Sequence, residues 1–311
     1  MYYVGIDVGG MSVKCGFVDP TGKIVAKGRI ITDLSLGQDK LVSDIANLIK
    51  DTAESHGIKK SEYKTVGIGV PGIVDVKSRE VKYSCNIFKE VFPIGKMLED
   101  KIGLKVRVAN DADCAAYGEC LFGAGKGAND VILITLGTGV GTGIVTGGKP
   151  FAGGSGMGGE GGHTFVGGKI KCSCGRTGCF ETEVSATALI RKTEEAISLN
   201  PNGVLASIKA ENGKVDGRTL FEGMKREDEI SKAVFSEFCN MLGAGVVNFA
   251  NVFRPDMILI GGGISAEGKT ITDPVQKYVD EYIYGGTSFA RTIIGTATLG
   301  NDAGIIGAAF L

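Results

Sequence analysis

The stretch GEGGHTFVGGKIKCSCGRTGCFETE, from Gly159 to Glu183, gathers three of the chain's eight cysteines and one of its two histidines. The order is His163, eight residues, Cys172, one residue, Cys174, four residues, Cys179. Three thiolates and one imidazole complete a closed tetrahedral zinc shell, the structural kind. Gly175 and Gly178 let so short a loop bend its ligands toward one point. The alternative is a set of buried, unligated thiols. Free cysteine prefers apolar cores, however, and this loop is polar and rich in glycine. Zn2+ on His163, Cys172, Cys174 and Cys179 is therefore expected, as scaffold and not as catalyst. Glu160 and Glu181 flank the loop. A metal-anchored loop would fix both carboxylates in space, where they suit sugar hydroxyls. Loss of the metal is then expected to free both carboxylates from their positions while leaving segments outside the loop in place.

A second constellation lies in VANDADCAAYGE, from Val108 to Glu119. A strand there delivers Asn110 and Asp111 to the start of a helix. Asp111 is read either as the helix N-cap, the commoner fate of such an Asp, or as a base that takes a hydroxyl proton. Asn110 can both donate to and accept from a polyol. Asp113 competes for the role of base but should point along a different helical face.

Two glycine turns form the third signal. DVGGMSVK offers Gly9 and Gly10; LGTGVGTG offers Gly137, Thr138 and Gly139. Consecutive backbone N–H groups at such turns make a nest for phosphate oxygens. Ser12 and Lys14 add a hydroxyl and a charge, and Asp7 can hold Mg2+ through water. Strands follow these glycines, so the turns are neither a Walker loop nor a dinucleotide fingerprint. A third turn, GGGIS, from Gly261 to Ser265, would pass Gly262 and Gly263 under a base or ribose, or would simply join strand to helix.

These groups need a scaffold. YYVGIDV, SVKCGFVD and KIVAKGRII read as strands. DKLVSDIANLIKDTAESHG reads as a helix with Leu41, Ile45, Leu48, Ile49 and Thr52 on one face, ending at Gly57. TVGIGVPG and KVRVAN are strands around a helix near 94–101. DVILITLGTGVGTGIVTGGK then repeats the outline of YYVGIDVGGMSVKCGFVDPTGK, aligning Gly9 with Gly137. Long helices follow near 184–199 and 230–253, with a late strand in PDMILIGGGIS. The apolar last helix, DAGIIGAAFL, should pack back between other elements. The expected fold class is α/β with two domains: 1–109, with 302–311 packing back on it, and 110–301, carrying the zinc loop.

Composition narrows the class. The 311 residues carry 34 Lys plus Arg against 35 Asp plus Glu, so no basic excess points to nucleic acid or an anionic membrane. No run approaches the roughly 20 apolar residues of a membrane span, and MYYVGIDVGG is no signal peptide. Eight cysteines without a leader point to a reducing cytoplasm. Cys15, Cys85, Cys114, Cys120 and Cys239 are expected to be packing residues, and His56 to sit at a helix C-terminus.

Taken in order, GIDVGG…K, GVPG, NDADCAAYGE, LGTGVGTG, GEGGH and CSCGRTGCFE resemble the ROK family of bacterial sugar kinases and repressors, its glucokinases above all. The resemblance covers essentially the whole chain. It implies an actin-like, hexokinase-like (ribonuclease H-like) fold with the ligand cleft between two α/β domains. It implies ATP with Mg2+ as donor and phosphorylation of a hexose, glucose first, at its 6-hydroxyl. N-acetylmannosamine, mannose and fructose kinases of the family share the same positions. The resemblance implies Asp111 as catalytic base. It implies Gly72, Asn110, Glu160, His163 and Glu181 as sugar contacts, with His163 also on the zinc. It places Asp7, Gly9, Gly10, Gly137, Thr138 and Gly139 on the phosphate loops, and makes a homodimer the expected assembly, with apolar helix residues 246–253 contributing. Met11 departs from the family's usual Thr, and Ser12 can cover for it. A sugar-responsive repressor would need a DNA-binding domain before the first strand. A chaperone-like or cytoskeletal ATPase of the same fold would need no zinc-anchored glutamates.

Overall fold

The computed structural model describes residues 1–84 and 87–311; Cys85 lies outside them. Contacts divide the chain into two compact units. One comprises Met1–Leu133, Gly143–Gly159 and Ala297–Leu311, the other Ile134–Thr142 and Glu160–Thr296.

The first unit opens with β1 (Tyr2–Val8), β2 (Ser12–Val18) and β3 (Ile24–Ile31), antiparallel neighbours in turn. Helix α1 (Gly37–Ser55) buries Leu41, Ile45, Leu48, Ile49 and Thr52, the face expected from their spacing. Its cap is His56, whose Nδ1 lies 2.9 Å from the Thr52 oxygen. β4 (Tyr63–Val70) joins β1 in parallel. A small hairpin, β5 (Ile73–Asp75) and β6 (Glu80–Tyr83), escaped the sequence reading. Its turn has no glycine: Asp75 Oδ1 accepts from the Lys77 and Ser78 amides, and Arg79 takes the left-handed conformation with φ 60°. Helix α2 (Ile94–Ile102) precedes β7 (Lys105–Asn110), which pairs in parallel with β4 and closes the sheet in the order β3-β2-β1-β4-β7.

Helix α3 (Asp111–Phe122) belongs to this first unit, not to the second as the boundary at 109/110 had it. The reason is its packing on the last helix, α10 (Ala303–Ala309). A Cβ on Gly307 would stand 1.7 Å from the Cys114 carbonyl oxygen, so only glycine permits this approach. Six of the seven α10 residues are buried, which meets the expectation that this helix packs back.

The second sheet runs β10-β9-β8-β11-β12, formed by β8 (Val131–Leu136), β9 (Val140–Thr146), β10 (Lys149–Pro150), β11 (Met257–Gly261) and β12 (Ile293–Thr296). Its order matches that of the first sheet strand for strand, so the weak internal repeat of the sequence is a repeat of topology. The unit division falls within β8 and β9. Helices α4 (Phe180–Val184), α5 (Ala186–Leu199), α6 (Val204–Asn212), α7 (Thr219–Lys225), α8 (Glu229–Phe253) and α9 (Lys269–Tyr282) complete the second unit. The helix expected near 184–199 is thus two, parted at Ser185, whose hydroxyl caps α5. At 25 residues, α8 is the one helix among the described residues long and apolar enough to cross a bilayer. It nevertheless buries Phe235, Phe238, Leu242, Val246 and Phe249, a core stripe. That stripe also consumes most of the face expected to serve self-association, leaving Val252 and Phe253 exposed.

Candidate functional site

In the first unit, the β1–β2 turn is closed by the Gly9 amide donating to the Ser12 oxygen at 2.9 Å. Gly10 and Met11 stand exposed at its tip. Asp7 and Lys14 are register partners, and Lys14 Nζ donates to Asp7 Oδ2 at 2.8 Å. The lysine charge is therefore held beside the carboxylate. Ser12 is half-buried.

The β7–α3 junction is organised by Asn110. Its Oδ1 accepts from the Ala112 amide at 2.8 Å and from the Asp113 amide at 3.4 Å, and its Nδ2 donates to the Gly72 oxygen at 3.0 Å. Asn110 is thus the N-cap, and the capping reading of Asp111 falls. An amide can accept from the helix and donate to Gly72 at once; a carboxylate cannot donate. Asp111 becomes the first helical residue, half-buried, with Oδ1 2.9 Å from the Ala112 amide. Gly72 has φ 109°, and a Cβ there would lie 2.3 Å from the Tyr83 oxygen. Asp113 is 3% exposed and faces elsewhere, as its offset along the helix requires.

In the second unit, Glu160 opens a tight 3-10 turn, Gly161–His163. The Gly161 amide donates to Thr142 Oγ1 at 2.8 Å, and a Cβ on Gly162 would meet the Val140 oxygen at 2.3 Å. The turn is pressed onto β9, which orients His163. The Glu160 side chain is exposed.

His163, Cys172, Cys174 and Cys179 converge, with one ligand atom from each lying within 4.8 Å of all the others. Cys172 Sγ is 3.5 Å from His163 Nδ1, and Cys174 Sγ is 3.5 Å from Cys179 Sγ. A tetrahedral zinc about 2.3 Å from each sulfur sets sulfur–sulfur separations of about 3.8 Å. The donor set and its spacing fit zinc, with Nδ1 facing the thiols and Nε2 left over. Backbone N–H donation from Arg176 pulls the Cys174 thiol below its ordinary value. Burial, then the neighbouring thiols, push Cys179 up to about 12. The other described cysteines, Cys15, Cys114, Cys120 and Cys239, are buried and form no disulfide.

Glu181 does more than the sequence implied. Its Oε2 accepts from the Val140 amide at 3.0 Å, and its Oε1 lies 3.8 Å from Cys172 Sγ. It therefore joins the cysteine cluster to the β8–β9 turn. In that turn the Gly137 amide donates to the Gly139 oxygen at 3.0 Å, and Thr138 is exposed. The start of α5 holds the turn from behind: the Ala186 amide donates to the Gly137 oxygen and Thr187 Oγ1 to the Thr138 oxygen, both at 2.8 Å. Gly262, with φ 85°, lies so close to the end of β8 that a Cβ would stand 2.3 Å from the Leu136 oxygen; Gly263 beside it is open. One unit thus collects the second glycine turn, the third glycine turn and the zinc loop. The sequence reading missed Thr142, and also Glu183, which is buried and 3.3 Å from Lys192. Neither has a neighbour in sequence that marks it.

The profile of the ROK family matches residues 3–311. The chain belongs to the ROK family. It is 37% identical to a glucokinase of Halalkalibacterium halodurans over 100% of this chain and 94% of that protein. It is 33% identical to a glucokinase of Thermotoga maritima, covering 98% and 95%. Among solved structures it is similar to a ROK family glucokinase from Streptomyces griseus in complex with glucose and AMPPNP. There the TM-score is 0.80 and the identity 34%, over 100% of this chain and 98% of that one. The actin-like, hexokinase-like fold that the motifs implied is that of these ROK kinases.

Proposed function

We propose that this ROK chain transfers the γ-phosphoryl group of ATP to the 6-hydroxyl of a hexose, with glucose as first acceptor. The observation that carries the reading is the placement of Asp111. It stands half-buried at the first turn of α3, directly after Asn110, which is the helix N-cap. Its carboxylate accepts the proton of the sugar hydroxyl while that oxygen attacks the γ-phosphorus. The oxygen–phosphorus bond to ADP breaks, and the proton remains on Asp111 until solvent removes it. Such transfer rests on positioning and charge neutralisation.

The two glycine turns are assigned to the phosphates: the Gly10 and Gly139 amides with the Thr138 and Ser12 hydroxyls make the contacts, while the Gly9 and Gly137 amides close the turns that present them. Gly262 and Gly263 are assigned to the nucleoside. Asp7, beside Lys14, is the residue assigned to the Mg2+ that accompanies ATP, which supplies charge neutralisation when bound. Glu160, His163 Nε2 and Glu181 are assigned to sugar hydroxyls, with Gly72 and Asn110 at the sugar's edge. Zn2+ on the His163–Cys172–Cys174–Cys179 set holds the loop that carries them. A homodimer is part of the reading, supported by exposed Val252, Phe253, Tyr284 and Phe289. Light scattering on the purified chain tests it.

The decisive experiment is steady-state kinetics of Asp111→Ala with an ADP-release assay, beside glucose binding by calorimetry. General-base catalysis supplies roughly 10²- to 10⁴-fold, so turnover should fall by that much while glucose still binds. Near-normal turnover would end the assignment. A screen of hexoses and N-acetylhexosamines by the same assay tests the acceptor.

A further inference from the structure

One cavity lies apart from every residue assigned above. It holds about 990 Å³, at the upper end of the roughly 300–1,000 Å³ of small-molecule sites. All its lining belongs to the first unit. Its floor is the outer edge of β7, the last strand of its sheet.

That edge is only partly covered. The Val106 oxygen accepts from Arg79 at 3.3 Å, and its amide donates to Glu99 Oε2 at 3.4 Å. Backbone groups alternate in direction along a strand, so the Val108 amide and carbonyl also point outward. Neither has a partner outside the ladder among the described residues. A capped rung is thus followed by an open one.

Charge decides what the cavity takes. Arg79 is spent on Glu99, and Arg107 donates to the Leu311 oxygen. Lys105 and Lys149 also line the cavity, and neither makes an ion pair or side-chain hydrogen bond among the described residues. Asp113 is the one other side-chain carboxylate of the lining, and the main-chain oxygen of Leu311 is held by Arg107. Val76 (46% exposed), Pro150, Ala152, Tyr117 and Phe310 add an apolar wall. Two unengaged ammonium groups, a free backbone N–H and an apolar wall together fit a small amphiphilic anion.

We propose that this cavity is a second ligand site, distinct from the hexose and ATP sites, for a small organic anion with an apolar body. The anionic group, carboxylate or phosphate monoester, pairs with Lys105 and Lys149 and accepts from the Val108 amide. The body packs against Tyr117, Pro150 and Phe310.

Calorimetric titration of the full chain with phenyl phosphate, phenylacetate and benzyl alcohol tests this. The readout is binding, so it stands or falls independently of the kinase reading. At least one of the two anions should saturate a single site, and which one does so separates phosphate from carboxylate sources. Its affinity should be unchanged by saturating glucose and AMPPNP, and benzyl alcohol should bind at least tenfold more weakly. The Lys105→Ala/Lys149→Ala variant should lose at least tenfold in anion affinity and keep wild-type turnover. Ala152→Trp, which fills the cavity, should abolish binding. Failure of both anions to saturate, displacement by glucose or AMPPNP, or full affinity in the double variant would each overturn the proposal.

Discussion

The Glu181 carboxylate accepts a hydrogen bond from the Val140 amide at 3.0 Å, with its other oxygen 3.8 Å from Cys172 Sγ. One side chain therefore ties the cysteine loop to the glycine turn assigned to phosphate. Once Cys172 is a metal-bound thiolate it has no proton to offer, and Oε1 is released for a sugar hydroxyl. Glu181→Gln keeps an oxygen for the Val140 amide but loses the charge. It should raise the KM for glucose about tenfold and leave the KM for ATP near wild type. Glu181→Ala should raise both. Kinetics with each substrate varied in turn check this; an unchanged ATP KM in Glu181→Ala would show that the Val140 contact is idle.

The second prediction concerns Asn110. Its Oδ1 serves two helix amides and its Nδ2 serves Gly72. Loss of an N-cap costs about 0.5–2 kcal/mol, so Asn110→Ala should unfold at lower denaturant. Asp111 would then compete for the vacant capping role, and turnover should fall well beyond the loss in stability. Asn110→Ser restores a cap but not the bond to Gly72. It should recover most of the stability and only part of the turnover. Denaturant titrations beside kinetics separate the two effects; equal recovery of both would mean that the Gly72 bond positions nothing.

Gly307 offers a test of the α3–α10 contact. A Cβ there would overlap the Cys114 carbonyl at 1.7 Å. The partner is backbone within a helix and cannot swing aside, so the two helices must part. Overpacking of this kind costs about 1–3 kcal/mol or more. Gly307→Ala should lower the melting temperature and reduce turnover through α3, which carries Asp111. Gly300→Ala is the companion control near the same helix: it has φ 55° but nothing within 4 Å of its Cβ. It should cost only the strain of the left-handed backbone. Equal melting temperatures for the two variants would remove the close approach from the account.

Contiguity separates what the sequence disclosed from what it concealed. The convergence of His163 with Cys172, Cys174 and Cys179 was legible because the four lie within one short loop, 163–179, and their side chains form a set that could hold a metal. The buried α10 was legible because apolar residues occupy nearly all its faces. The cap at α3 stayed open between neighbours in the sequence, since Asn and Asp serve as caps almost equally; Asn110 Oδ1 takes the helix amides while its Nδ2 reaches Gly72, 38 residues away. Glu181 and Val140 are 41 residues apart, and no local pattern links a carboxylate to a distant amide. The open edge of β7 is also a product of sheet order, which spacing does not reveal. The β5–β6 hairpin was missed because Arg79, not glycine, adopts its left-handed position.

The last prediction is the metal. Burial holds the Cys179 thiol up at about 12, so in the metal-free chain it keeps its proton at neutral pH. Zinc binds the thiolate, and binding must therefore expel that proton. Lowering the pH adds competing protons, so zinc affinity should fall as pH falls. Titration of the metal-stripped chain with zinc, in two buffers of different ionisation enthalpy, should register at least one proton released per ion. Metal analysis of the wild type should find about one zinc per chain, the number that one four-ligand shell holds. Cys174→Ala removes the exposed ligand and should lose most of that zinc. By sequence the glycine turns lie on segments outside the metal loop; the Glu181–Val140 bond joins one of them to it. Sugar phosphorylation should still collapse in Cys174→Ala, because Glu160 and His163 lose their anchor. Nucleotide affinity should now fall as well, by the smaller factor seen in Glu181→Ala, as the loop pulls its carboxylate from the turn. Nucleotide binding at wild-type strength in a zinc-free Cys174→Ala would show that the turn keeps its shape unaided.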